Sequence, residues 1–282
     1  MSSVLVNKVL SMIVGYNGLN SLIFYKKHGY FLDVKSPKTF SEKINARKLT
    51  PTKKMSKLSD KVSVKKFLQD NGLGQYVIPN YFHGESLTLK ILKAMPEAYM
   101  LKSNVGAGFN LLVTGEYRGQ EVLASIAKWN VKNFHFLGME RQYKNIKPMY
   151  LMEKALLNEA GASPKDYKFH CFPDGSKVVA VYSERGRDIR SDYFDEKWCS
   201  LNIKWSYPVS DEPPSKPLYF EEMLKVVNRL YKVCDMGYVR IDLYEYEGRI
   251  FFSEYTFTPG GGYSKFPSYE MDLDWGGRME RG

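Results

Sequence analysis

Arg240 and Asp242 stand two residues apart in the run Val239-Arg240-Ile241-Asp242-Leu243, and Glu254 and Thr256 repeat that spacing shortly afterwards. Side chains alternate between the faces of a strand, so Arg240 and Asp242 share one face while Val239, Ile241 and Leu243 take the other. On the return strand Glu254 and Thr256 share a face, with Ser253, Tyr255 and Phe257 opposite. If the two strands pair antiparallel, a cation, two carboxylates and a hydroxyl converge. Two carboxylates that close repel one another unless a cation sits between them. Mg²⁺, held by one or two carboxylates plus substrate phosphates, is the usual solution. A pair of exposed cross-strand ion pairs is the plainer alternative.

Other segments carry weaker signals. In Lys102-Ser103-Asn104-Val105-Gly106-Ala107-Gly108 a lysine ends a strand and precedes a flexible loop able to approach phosphates. It is not a P-loop, whose lysine follows the glycines, nor a dinucleotide fingerprint, because the third glycine is missing. A simple hairpin turn competes with the phosphate reading. Leu151-Met152-Glu153-Lys154-Ala155-Leu156 is an apolar strand running into Glu-Lys and is neutral by itself. Arg185, Arg187 and Arg190 lie in one polar segment and could grip a substrate carboxylate by bidentate hydrogen bonds, or form a solvated loop. Asp272-Leu273-Asp274 has the spacing of the metal-binding pair of sugar-nucleotide enzymes, although its place near the C-terminus suits that role poorly.

Composition limits the rest. Cys171, Cys199 and Cys234 form no CxxC pair, and the four histidines form no HxxxH or HExxH pattern. Neither a disulfide framework nor a zinc site is expected, and a reducing, cytoplasmic setting fits. The 41 Lys and Arg outnumber the 31 Asp and Glu, giving a net charge of +10 that favours an anionic partner. No RNP-like motif, zinc finger or heptad zipper accompanies that charge, so nucleic acid is not the expected partner. Aromatic residues make up 15%, led by 21 Tyr and 16 Phe, which suits a Tyr-heavy core and also suits sugar or nucleotide binding.

The elements that position these residues follow from pattern. Thr39-Phe40-Ser41-Glu42 has capping-box spacing and predicts a helix to about Leu49. Ser59 or Asp60 caps a second helix with Val64, Phe67 and Leu68 on one face and Gly72 at its end. Residues 76–79 read as a short strand ending at a proline. Strands at 98–102, 111–114 and 149–153, a glycine loop and a helix over 120–129 make a compact α+β unit. Strands at 166–172 and 177–183 flank Pro173-Asp174-Gly175, in which Pro presets φ and Gly tolerates φ > 0. Residues 184–198 read as a loop, 220–235 as an amphipathic helix, and 238–244 with 249–257 as the last hairpin, before Gly260-Gly261-Gly262.

Taken together and in order, these features resemble the ATP-grasp superfamily. The sequence Arg240-Ile241-Asp242, then Glu254-Tyr255-Thr256-Phe257-Thr258-Pro259-Gly260, resembles the RxD…ExN-x-x-PG signature of D-alanine–D-alanine-ligase-type enzymes. It is more similar still to the TupA-like ATP-grasp family, linked to teichuronopeptide and other cell-surface glycan synthesis, including capsules. Ser36-Pro37-Lys38-Thr39-Phe40-Ser41-Glu42-Lys43, Ser59-Asp60-Lys61, Met100-Leu101-Lys102-Ser103-Asn104, Asp166-Tyr167-Lys168-Phe169 and Thr256-Phe257-Thr258-Pro259-Gly260-Gly261-Gly262 extend that likeness over most of the chain.

The resemblance implies an α+β ATP-grasp fold, two subdomains clasping ATP behind a mostly helical N-terminal region. Its boundaries fall at residues 1–95, 96–155 (small subdomain with the glycine loop) and 156–282 (large subdomain with metal and substrate site). It implies ATP and Mg²⁺ as cofactors. Lys102 would contact the phosphates beneath the loop bearing Gly106 and Gly108. Glu153, Lys154 and Leu156 would form the hinge that holds adenine. Asp166, with Glu159 as its rival, would meet the ribose, and Lys168 would join the nucleotide site. Asp242, Glu254 and Thr256 would hold metal, with Thr256 standing where the superfamily usually has Asn. Arg240 would stabilise the transferring phosphoryl group and the later tetrahedral intermediate. Lys61 matches an Asp-Lys pair at a helix start, and Ser264 and Lys265 lie where such ligases bind substrate carboxylate.

The implied activity is ATP-dependent carboxylate–amine ligation through an acylphosphate, joining an acidic saccharide, a uronic acid, to an amino acid or small amine in bacterial surface polysaccharide synthesis. A glycosyltransferase and a non-catalytic polyanion-binding protein are the rival functions. The N-terminal run Val4, Leu5, Val9, Leu10, Met12, Ile13, Val14 is interrupted by Asn7, Lys8 and Ser11. It reads as an amphipathic helix, not as a signal peptide or a spanning segment, which needs about 20 apolar residues. Packing on its own domain is the first expectation, and peripheral attachment to the inner face of the membrane the second. The sequence is silent on oligomeric state.

Overall fold

The computed structural model describes residues 3–115, 119–158, 161–183, 188–205 and 207–280. Helices α1 (Ser3–Val14), α2 (Tyr16–His28), α3 (Phe40–Leu49), α4 (Lys53–Ser59) and α5 (Lys61–Asp70) open the chain. The capping box at α3 is complete: Glu42 N donates to Thr39 Oγ1 at 3.1 Å and Thr39 N donates to Glu42 Oε2 at 3.0 Å. Helix α4 was not anticipated, since its seven residues are too few for periodicity to register. Thr52 caps it, and its Met55 and Leu58 join Val64 and Leu68 of α5 in the main core. Of the two caps considered for α5, the structure uses Asp60, whose carboxylate accepts from Val62 N at 3.0 Å.

The first sheet comprises β1 (Asn80–Gly84), β2 (Tyr99–Ser103), β3 (Asn110–Val113) and β4 (Tyr150–Lys154), in the order β1-β4-β2-β3. Of the strand expected at 76–79, Tyr76 ends a 3₁₀ turn (Gly74–Tyr76), Val77 makes an isolated parallel bridge to Phe252, and the continuous strand begins only after Pro79. A proline supplies no N–H to a ladder, so β1 starts beyond it. Helices α6 (Leu89–Lys93) and α7 (Gly119–Ile126) set Leu92, Val122 and Ile126 against Tyr99, Leu101, Val113 and Met152. Lys102 lies on the other face of β2 by simple alternation.

The second sheet comprises β5 (Asp166–Cys171), β6 (Lys177–Ser183), β7 (Arg190–Phe194), β8 (Val239–Tyr246) and β9 (Arg249–Thr256), in the order β7-β6-β5-β8-β9, with every neighbouring pair antiparallel. Helix α8 (Phe220–Cys234) packs Phe220, Met223, Val227 and Leu230 onto Tyr167, Phe169, Ile241 and Leu243. Strand β7 corrects the loop expected over 184–198. Its alternation was disguised by Asp192, which is buried and accepts from Ser210 Oγ at 2.6 Å. The β8–β9 turn is tighter than expected: Tyr246 pairs with Arg249 around Glu247 and Gly248, whose φ values of 51° and 68° fit a two-residue hairpin turn.

Helix α9 (Tyr269–Arg278) was also unforeseen, and it carries two adjacent glycines, Gly276 and Gly277. Gly276 is there for contact: a Cβ on it would sit 2.1 Å from the Lys38 carbonyl oxygen. That closeness seats Trp275 against Phe40 in a second aromatic core.

Candidate active site

Strand β8 lies between β5 and β9, and the register builds the site row by row. Lys168 pairs with Asp242 and Asp242 with Glu254, while the next row is His170, Arg240 and Thr256. A bulge falls between Asp242 and Leu243, so that Leu243 opposes Phe252 and Ser253 is the extra residue. Without it Phe252 and Glu254 would share a face; with it Phe252 enters the core and Glu254 enters the cleft. Ser253, expected on the opposite face, consequently lines the cleft as well.

Asp242 is the centre of this arrangement. Arg240 donates to it twice, Nε to Oδ1 and Nη2 to Oδ2, each at 2.7 Å, and Lys168 Nζ donates to Oδ2 at 2.6 Å. Burial pushes the Asp242 carboxyl up, but the Arg240 and Lys168 cations outweigh it and hold the group well below the usual carboxylate range. Lys168 also bonds Asp166, and those two anions raise the Lys168 ammonium against the opposing effect of burial. Arg240 Nη2 reaches Thr256 Oγ1 at 2.9 Å and Glu254 Oε1 at 3.6 Å. The row is thus charge-balanced and preorganised before any ligand arrives.

Lys61, first residue of α5, closes the other side. Its Nζ lies 3.5 Å from Glu254 Oε2 and donates to the Gly106 carbonyl. Asp60 and Asn104 fix this approach, with Asn104 Nδ2 donating to Asp60 Oδ1 at 2.9 Å and Lys61 N to Asn104 O at 3.1 Å. Gly106 has φ +76°, and a Cβ there would meet the Phe134 ring at 2.6 Å. Between the loop and the second sheet runs a cleft of about 960 Å³, lined by Lys61, Lys102, Gly106, Gly108, Asp166, Lys168, Arg240, Asp242 and Glu254 among others.

Behind the cleft Glu153 is clamped between two lysines: Lys102 Nζ lies 2.6 Å from Oε2, and Lys65 Nζ contacts Oε1. Burial favours protonation of Glu153, yet Lys102 and Lys65 bring its pKa down to about 2.

The TupA-like ATP-grasp family model matches residues 42–280. The chain belongs to the TupA-like ATP-grasp family. Its two antiparallel sheets, with helices and a helical N-terminus, are the ATP-grasp fold in the α+β class. No curated protein matches the chain in sequence. It is structurally similar to a D-alanine–D-alanine ligase from Bacillus anthracis complexed with ATP (15% identity, 73% of this chain and 56% of that one, TM-score 0.44). It is also similar to an L-amino acid ligase from Bacillus licheniformis (12%, 88% and 54%, TM-score 0.46) and a D-alanine–D-alanine ligase from Helicobacter pylori (16%, 77% and 59%, TM-score 0.41). The TupA-like chain spans between half and two thirds of the length of these three structures.

Of the TupA-like chain's expected site residues, Lys102, Gly106, Gly108, Asp166, Lys168, Arg240, Asp242, Glu254, Ser264 and Lys265 all line the one cleft. Thr256 is tied to Arg240 and Glu254 at its margin. Glu153, Lys154 and Leu156 are not among the lining residues: Glu153 is held from behind, Lys154 Nζ lies 3.7 Å from Glu247, and Leu156 packs with Ile78 and Phe251. Arg190, on the edge strand β7, bonds Asp188 and lines a separate groove with Ser183 and Ser210. Arg185, Arg187 and Glu159 lie outside the described residues. The Asp272/Asp274 pair is structural, with Asp272 accepting from Ser41 N at 2.8 Å and Asp274 from Arg278 Nε at 3.0 Å.

Sequence reasoning missed His170 and Lys65. His170 is buried on the cleft wall, with Nδ1 2.8 Å from the Tyr238 hydroxyl, and burial drives its pKa far down. The period-two rule applied to Arg240 and Asp242 also puts His170 beside Lys168, so the signal was present. Lys65 carried none, because its role depends on how α5 packs.

Among the described residues, no group of three or more His, Cys, Asp or Glu side chains forms a metal-ligating cluster. Asp242 and Glu254, paired across β8 and β9, supply two hard carboxylate donors, and Thr256 adds a hydroxyl beside Glu254. That set fits Mg²⁺ whose remaining ligands are phosphate oxygens and water.

Proposed function

We propose that this chain is an ATP- and Mg²⁺-dependent carboxylate–amine ligase acting in the cytoplasm. Its substrates are a glycan carboxylate, a uronic acid, and an amino acid or small amine, and its setting is bacterial surface-polysaccharide synthesis. The row Lys168–Asp242–Arg240 with Glu254, facing a glycine loop across one cleft, carries the reading. Such a site concentrates fixed charge around one cleft, which is what phosphoryl transfer needs.

In this mechanism Lys102 and the Gly106–Gly108 loop bind the ATP phosphates, and Asp166 meets the ribose. The hinge segment Glu153, Lys154 and Leu156 meets adenine through its backbone. Asp242 and Glu254, with Thr256, would hold Mg²⁺, which when bound neutralises phosphate charge. An acceptor carboxylate oxygen attacks the γ-phosphorus, the bond to the β–γ bridging oxygen breaks, and ADP leaves. Arg240 and Lys168 stabilise the charge spread over the transferring oxygens. The amine then attacks the acyl carbon, phosphate leaves with the C–O bonding pair, and the nitrogen loses a proton to give the amide.

The acidic acceptor draws its support from the cations lining the cleft, Lys265 among them, and from the chain's net charge of +10. Tyr182 and Tyr207, which line the same cleft, offer aromatic surface against which a sugar can stack. The test is ADP release with Mg·ATP, using uronic acids or their nucleotide sugars, each with pooled amino acids. ADP that requires both partners, with an amide product by mass, is the expected result. Sugar transfer without ADP would replace this reading with a glycosyltransferase.

A further inference from the structure

We infer that helices α1 and α2 form a docking surface for an anionic lipid bilayer. No residue of α1 is buried, and Met12 and Ile13 are 72% and 74% exposed. Leu22 of α2 and Phe31 just beyond it are exposed too, the latter to 82%. An apolar face this open on a water-soluble fold marks a contact surface.

Charge identifies the contact. Between residues 3 and 41 stand Lys8, Lys26, Lys27, Lys35 and Lys38 against a single acid, Asp33. None of these lysines is ion-paired with another described residue. Five lysines against one acid in the segment that carries these exposed apolar residues oppose its pairing with a second copy and match anionic headgroups. At 12 residues α1 is about 18 Å long, too short to cross a bilayer and suited to lying in its interface. No helix among the described residues is long and apolar enough to span.

The helices are also firmly seated. Asn7 Nδ2 donates to Phe136 O at 2.9 Å, Tyr16 Oη to His135 O at 2.8 Å, and Tyr263 Oη to Asn20 Oδ1 at 2.6 Å. Lys27 of α2 lines the cleft. A bilayer bound to this surface therefore lies beside the cleft, where a lipid-carried substrate could enter.

Flotation of the full chain with vesicles tests the inference without using any enzymatic activity, so it stands or falls separately from the proposed reaction. Vesicles with about a third phosphatidylglycerol should bind at least about tenfold more protein than pure phosphatidylcholine, and about 0.5 M NaCl should release it. Met12→Asp with Ile13→Asp should lower binding by roughly tenfold or more while leaving the thermal midpoint within a few degrees. If that variant is unstable, Lys26→Glu with Lys35→Glu should give the same loss on the anionic vesicles. Absence of binding to anionic vesicles, or binding that neither pair of substitutions weakens, would overturn the inference. A dimer in sedimentation velocity that Met12→Asp with Ile13→Asp dissolves, without vesicle binding, would assign the surface to a second copy instead.

Discussion

Replacing Asp242 by Asn removes the one charge to which both Arg240 and Lys168 bond in the buried row. Two cations are then left facing each other across a neutral amide that can accept through only one oxygen. Breaking a buried pair this way costs about 3 to 5 kcal/mol, and the retained hydrogen bond places Asp242→Asn near 3. With a urea slope of about 3 kcal/mol/M for a chain of this size, the unfolding midpoint should fall by about 1 M near pH 7. A stability of about 5–15 kcal/mol leaves the variant folded. Turnover, by contrast, should fall by about a thousandfold or more, because the variant loses both a carboxylate proposed to hold Mg²⁺ and the partner that aims Arg240. The two effects are separated by measuring ADP release below the variant's unfolding transition, with circular dichroism confirming the fold. An unchanged midpoint would refute the charge-pinned row. A lowered midpoint with normal turnover would confine Asp242 to structure and remove it from the chemistry.

Glu153→Gln should lose about 3 kcal/mol at neutral pH, since the wild-type carboxyl is held at about 2 instead of 4.5. Because the folded pKa is depressed, that stability is present above pH 4.5 and disappears as pH falls toward 2; urea midpoints across this window should decline less steeply in the variant. Gly106→Ala pushes a methyl group into the Phe134 ring at a φ of +76° and should raise the KM for ATP by roughly tenfold, measured by initial rates; an unchanged KM would remove this loop from the nucleotide site. Gly276→Ala, whose Cβ would fall 2.1 Å from Lys38 O, should destabilise by about 2–3 kcal/mol in thermal melts without altering KM, and an unaltered midpoint would contradict the close packing of α9 on residues 38–40.

The hairpin carrying Arg240, Asp242, Glu254 and Thr256 was legible because strand alternation acts within a few residues and a short turn fixes which strands pair. The capping box at Thr39 was legible for the same reason, being complete in four residues. What stayed hidden depends on contacts between distant segments. The bulge at Ser253 follows from Phe252 needing the core while Glu254 needs the cleft, a conflict visible only once both sheets are assembled. Lys65 of α5 and Glu153 of β4 meet only in the assembled fold, and no spacing encodes that contact. Strand β7 hid behind Asp192, whose burial is tolerated only because Ser210 hydrogen-bonds it. Helix α9 stayed hidden too, and the value of its Gly276 lies in the backbone it lets approach. Arg190 is a case where residue type alone suggested substrate binding, while its place on an edge strand takes it to another groove.

The central claim is that a substrate carboxylate is activated by the γ-phosphoryl group within the row Lys168–Asp242–Arg240. Its most direct test supplies the acceptor with ¹⁸O in both carboxylate oxygens, together with Mg·ATP and amine, and weighs the inorganic phosphate produced. Acylphosphate formation predicts one ¹⁸O atom in each phosphate released with amide. Phosphate carrying no label, formed at the same rate as ADP, would mean that water and not the carboxylate takes the phosphoryl group, and would contradict the account.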